Sequence, residues 1–242
     1  MRGEQRRASS SRLGIGRLTH GTAGWLVFLA LALGAARVAP DYGVGWDEGV
    51  QSQYAELSLD YFLTLGRDTR CNEYLNVKFY SPVVDALAAI AYRAAPERKF
   101  EIRHLVTSVL SLLVVPALIG WGRLLASGSV GAFAVLALVT TPTFFGHAFI
   151  NSKDAPLAAA FTWSSLAIAR FFVRDRQTWR SYAALGAWFG VSLVVRPGVW
   201  IPLLGLYVGA SIVAGRTATA GPPPIPTHRS RTSSAATALR SP

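Results

Sequence analysis

HLVTSVLSLLVVPALIGW, residues 104–121, is an apolar run of 18 residues. The run carries no Asp, Glu, Lys or Arg and is close to the roughly 20 apolar residues a helix needs to cross a bilayer, so it is predicted to be a membrane span. Arg123 and a Gly/Ser turn close it downstream, and a long polar segment precedes it. Five further apolar runs have the same character: residues 25–39, extended back to Gly21; 130–150, interrupted by Pro142; 155–173; 182–195; and 198–213. A secretory signal peptide is the competing reading of the first, through cleavage near Gly34-Ala35-Ala36, and a retained helix is preferred. With 51% of its 242 residues hydrophobic, the chain reads as all-α, a polytopic transmembrane helical bundle of about six spans.

A formal charge of +11 in a soluble protein would point to nucleic acid. Here the positions of the charges decide otherwise. Arg2, Arg6, Arg7, Arg12 and Arg17 precede the first span, and Arg170, Arg174, Arg176 and Arg180 follow the fourth. Arginines that flank spans orient helices with their basic ends inside, so membrane topology accounts for them and no nucleic-acid partner is expected. Starting with the N-terminus cytoplasmic, alternation puts 40–103, the 151–154 turn and Arg196 outside, and Arg123 and Arg216 inside. A single cysteine, Cys71, excludes an internal disulfide and a cysteine zinc site. His20, His104, His147 and His228 show no metal-ligand spacing, and no phosphate-cradling Gly loop is present. Neither a metal nor a cofactor is expected.

Three regions follow: a basic cytoplasmic N-terminus (1–20), a transmembrane module (21–215) and a disordered Pro/Ser/Arg-rich tail (216–242). The composition changes abruptly after Ala220, as truncation or a change of reading frame would produce. The first outer loop, 40–103, holds ten of the thirteen acidic residues and must lie outside hydrocarbon. Within it, Val50, Tyr54, Leu57 and Tyr61 recur at helical spacing and predict an amphipathic helix on the membrane surface. Ser81-Pro82 reads as an N-cap followed by proline at the first helical position, opening a second surface helix through Tyr92.

The chemistry of this loop centres on Gly45-Trp46-Asp47-Glu48-Gly49. Asp47 or Glu48 could take a proton from an attacking hydroxyl, or Asp47 could simply cap the helix while Glu48 meets its dipole. The only lysines, Lys78, Lys99 and Lys153, all fall on the outer side, against the usual bias. With Arg196 they could neutralise a lipid phosphate; interfacial snorkelling, or pairing of Lys153 with Asp154, is the plainer alternative. Asp154 reads as the cap of the helix from Ala155, and His147 as a packed or hydrogen-bonded histidine.

These pieces together resemble the N-terminal half of the GT-C membrane glycosyltransferases, most of all the protein O-mannosyltransferase and lipid A aminoarabinose transferase group. Trp46-Asp47-Glu48-Gly49, Lys78-Phe79-Tyr80-Ser81-Pro82, the stretch from His147 to Pro156 and Arg196-Pro197 carry the resemblance. It implies transfer of a sugar from a polyprenyl-phosphate carrier to a lipid, glycan or protein acceptor at the outer face of a bacterial inner membrane. Asp47 and Glu48 would supply the catalytic carboxylates, and Lys78, Lys153, Asp154 and Arg196 the substrate and phosphate contacts. Family members usually continue through further spans, which keeps open a catalytically inactive truncated scaffold or partner subunit. A transporter would bring inverted repeats or mid-membrane ionisable groups, and the spans offer neither clearly.

Overall fold

The computed structural model describes residues 22–173 and 177–219, and every regular element among them is helical. The basic N-terminus and the tail from 220 onward lie outside the described residues. Helix α1 (Thr22–Asp41) opens the described part and is 20 residues long. It turns one narrow face inward through Gly24, Ala35 and Ala39, while Leu26, Leu29 and Leu33 stay exposed, as suits a helix bathed in lipid.

The predicted surface helices follow as α2 (Glu48–Leu63) and α3 (Val83–Tyr92). Helix α3 begins one residue later than the sequence suggested. Pro82 takes the cap position and Ser81 Oγ accepts the Val83 N–H at 3.4 Å. In α2 the inward face differs from the predicted stripe. Of Val50, Tyr54, Leu57 and Tyr61 only Tyr54 is buried; Glu48, Gln51, Ser52, Ala55, Ser58 and Leu59 turn inward instead. The reason lies in the partners: Ala55 and Leu59 pack on Ala88, Ala89 and Tyr92 of α3, and the polar end of α2 meets buried Arg103 and His104.

Helices α4 (Lys99–Leu112) and α5 (Val114–Leu125) form one apolar rod from Pro96, starting earlier than residue 104. They part at Leu113 because Pro116 cannot donate to the carbonyl four residues back. The indole of Trp163 donates to the Leu113 carbonyl at 2.8 Å, supplying a partner at the break. The predicted third span is a bent pair, α6 (Gly128–Val139) and α7 (Pro142–Ile150), turned by 72°. Thr140 and Thr141 close the end of α6 by donating to the carbonyls of Leu136 and Ala137 at 2.8 and 2.7 Å.

Helices α8 (Asp154–Val173), α9 (Trp179–Val195) and α10 (Trp200–Thr219) complete the described part. Among the described residues four helical stretches are long and apolar enough to cross a membrane, a fifth if the bent pair counts as one, and α9 has 17 residues, at the short end of the spanning range. Small residues set the helix contacts. At the α5–α6 crossing a Cβ added to Gly122 would fall 2.1 Å from the Gly131 nitrogen, so only glycine admits this approach. Between α8 and α9, Ser164 Oγ lies 2.9 Å from Ser192 Oγ.

Candidate active site

The turn 45–48 is fixed by its own backbone. Glu48 Oε2 reaches back to accept the Gly45 N–H at 2.6 Å, and the Glu48 N–H donates to the Gly45 carbonyl at 3.1 Å. A Cβ at position 45 would meet that carboxylate at 3.2 Å, so the closeness of the turn favours glycine. With Glu48 drawn inward, Asp47 next to it is partly exposed and Trp46 before that is 97% exposed.

Glu48 itself is fully buried. Its Oε1 lies 3.3 Å from Arg103 Nε and 3.1 Å from His104 Nε2. Burial by itself would raise the carboxyl's pKa. The hydrogen bonds from His104 and the Gly45 amide, with the charges of His104 and Arg103, outweigh it and hold Glu48 below the ordinary glutamate range. Arg103 gathers four partners: besides Glu48, its Nη2 lies 2.7 Å from Asp85 Oδ1, 2.7 Å from Gln51 Oε1 and 3.2 Å from Ser152 Oγ. The Asp85 contact is at ion-pair distance but out of line for a hydrogen bond. One arginine thereby joins α2, α3, α4 and the turn before α8.

Asp47 does not cap α2 with its side chain; Oδ2 accepts a hydrogen bond from Gln51 Nε2. At the other end of the site, the cap expected of Asp154 is made by Asn151, whose Oδ1 accepts the N–H groups of Lys153 and Asp154 at 3.1 and 2.8 Å. Asp154 is the first residue of α8 and pairs with Arg196 from the break before α10. Lys153 makes no ion pair with Asp154: its Nζ stands 4.6 Å from the centre of the Tyr80 ring, and among the described residues it has no carboxylate partner.

A cavity of about 570 Å³ opens between these segments, lined by Asp47, Gln51, Tyr80, His147, Lys153, Asp154 and Arg196 among others. Four of the six residues singled out in the sequence are brought together here: Asp47, Lys153, Asp154 and Arg196. Glu48 lies beneath the cavity rather than on its wall, and Lys78 is exposed outside it, 5.6 Å from the Phe79 ring centre. His147 lines the wall and meets Asn151 at 3.1 Å, hydrogen-bonded as expected. Gln51, Asp85, Arg103, His104 and Ser152 were not picked out from sequence. Their signal is a polar stripe on α4, Arg103/His104, Thr107/Ser108 and Ser111, buried along its whole length. Among the described residues no three His, Cys, Asp or Glu side chains gather as metal ligands would.

Residues 80–217, more than half of the chain, match the family model described as dolichyl-phosphate-mannose-protein mannosyltransferase. The chain belongs to that family. No curated protein and no solved structure matches it. Mannosyltransferases of this family are membrane glycosyltransferases of the GT-C type that use lipid-linked sugar donors, and the chain is accordingly an integral, multi-pass membrane protein. The mannosyltransferase match takes in Arg103, Lys153, Asp154 and Arg196, while Asp47, Glu48 and Lys78 precede it.

Proposed function

We propose that the chain transfers a sugar from a polyprenyl-phosphate carrier to an acceptor at the outer face of the membrane. The acceptor hydroxyl attacks the anomeric carbon, the bond from that carbon to the phosphate oxygen breaks, and the electron pair leaves with the lipid phosphate. Asp47 takes the hydroxyl proton and Lys153 neutralises the departing phosphate. One observation carries the reading: Asp47 and Lys153, 106 positions apart in number, line the same cavity.

Lys153 is the stronger candidate for the phosphate because Arg196 already faces Asp154. Glu48 serves as the anchor of the turn, since its buried carboxylate is committed to Arg103, His104 and Gly45. The arginines support this orientation, with the cavity at the outer face. Helix α8 starts at the cavity and carries Arg170 in its last turn, and α10 likewise carries Arg216 in its last turn. An arginine-bearing end that faces the cytoplasm puts the cavity outside.

Two arms test this on the full chain in sealed vesicles. A membrane-impermeant maleimide should label Trp46→Cys from the outer side only; labelling confined to the cytoplasmic side would overturn the sidedness. A radiolabelled polyprenyl-phosphate mannose should bind saturably; no binding above that of vesicles lacking the protein would favour an inert scaffold.

A further inference from the structure

The Asp47 carboxylate is not left to find its own position. Four residues along α2, one turn away, Gln51 is 8% exposed and its amide bridges two unlike environments. Its Oε1 accepts from Arg103 Nη2 at 2.7 Å and from Ser152 Oγ at 3.0 Å, and its Nε2 donates to Asp47 Oδ2. Only one orientation of the amide satisfies both ends. An arginine has donors and no acceptor, and an ionised carboxylate has acceptors and no donor. The oxygen must therefore face Arg103 and the nitrogen must face Asp47.

Arg103 is in turn held by Glu48, and Ser152 is the residue before Lys153. The same buried arginine thus reaches both sides of the cavity, through Gln51 to Asp47 and through Ser152 to the turn that carries Lys153. The geometry points to Gln51 as a positioning residue: locked by Arg103 and Ser152, it fixes the Asp47 carboxylate at the wall of the cavity. This rests on the reading of Asp47 as the base.

The test is a double-mutant cycle with two readouts. In the wild type, Asp47→Asn leaves an amide oxygen to accept from Gln51 Nε2 but removes the charge from that hydrogen bond, and lowers the thermal midpoint of the purified chain. In Gln51→Glu two carboxylates face each other, and adding Asp47→Asn restores an amide-to-carboxylate contact with the roles exchanged. The effect of Asp47→Asn on the midpoint should therefore be clearly more favourable in the Gln51→Glu background than in the wild type; equal effects in both would mean the contact is not made. This arm reads the same whether or not the chain turns over.

The second readout separates positioning from packing. Gln51→Met should lower kcat about 10- to 100-fold while the KM for the lipid-linked donor stays within about twofold. A wild-type kcat in Gln51→Met would overturn the positioning role even if the cycle shows the contact. The base reading fails separately, through a wild-type kcat in Asp47→Asn.

Discussion

Arg103 reaches Glu48 across 55 positions of sequence, Nε to Oε1 at 3.3 Å, with both side chains out of contact with water. Removing water from two charges is expensive, and such a pair holds only when further hydrogen bonds complete it. Glu48 has them from Gly45 and His104, and Arg103 Nη2 makes them to Gln51 and Ser152, while the buried Arg103 Nη1 has no hydrogen-bond partner among the described residues. The pair therefore acts less as a source of net stability than as a clamp on where α2 starts.

Breaking that clamp from one side should be severe. Arg103→Met leaves Glu48 and Asp85 buried without their cation, and a loss of about 3–5 kcal/mol is expected. Reversible unfolding in mixed micelles measures it. A loss under about 1 kcal/mol would mean that water or another cation replaces the guanidinium.

The depressed Glu48 carboxyl makes stability depend on pH in a defined direction. A group whose folded pKa lies below its unfolded value contributes fully above the unfolded value, 4.5 for glutamate, and loses that contribution as pH falls through the folded pKa. The wild type should therefore lose stability as the pH drops below about 4.5, and Glu48→Gln should show a flatter curve over that window. Parallel curves for the two proteins would show that Glu48 is not held in its ionised form.

The spans could be read from the sequence because each apolar run is long and carries few charges, and residues 104–121 indeed lie within the long helical rod α4–α5. The turn at Pro142 was visible as an interruption, but its 72° bend depends on how α6 and α7 pack. The inward face of α2 was not legible, because a helix normally buries its apolar stripe and this one meets an arginine instead. The caps of α8 show the same limit. Asn151 and Asp154 are both good caps in isolation, and Arg196, 42 positions away, decides between them by taking Asp154.

The α5–α6 crossing should tolerate no side chain. Gly122→Ala drives a methyl group into the backbone of α6, and a loss of roughly 1–3 kcal/mol is expected from the thermal or denaturant midpoint. Gly186→Ala is the matched control, with nothing within 4 Å of the added carbon and an expected effect near zero or slightly stabilising. Equal effects at both positions would contradict the close approach.

The cavity distinguishes among the basic residues singled out by sequence. Lys153→Met should weaken binding of the lipid-linked donor about 10- to 100-fold, the loss of one hydrogen-bonded charge. Arg196→Met should do less, because its guanidinium is already engaged by Asp154 and half exposed to solvent. Lys78→Met, outside the cavity wall, should leave affinity unchanged. Equilibrium binding of labelled donor ranks the three, and a Lys78 effect equal to that of Lys153 would reassign the phosphate site.

The role proposed for Asp47 is to remove the acceptor proton within the cavity that also receives the donor phosphate. Sugar transfer by the wild type and by Asp47→Asn, assayed with the same lipid-linked donor and with donor affinity measured in parallel, tests it most directly. Turnover should fall about 100- to 10,000-fold while donor binding is retained. Unchanged turnover in Asp47→Asn would show that Asp47 is not the base.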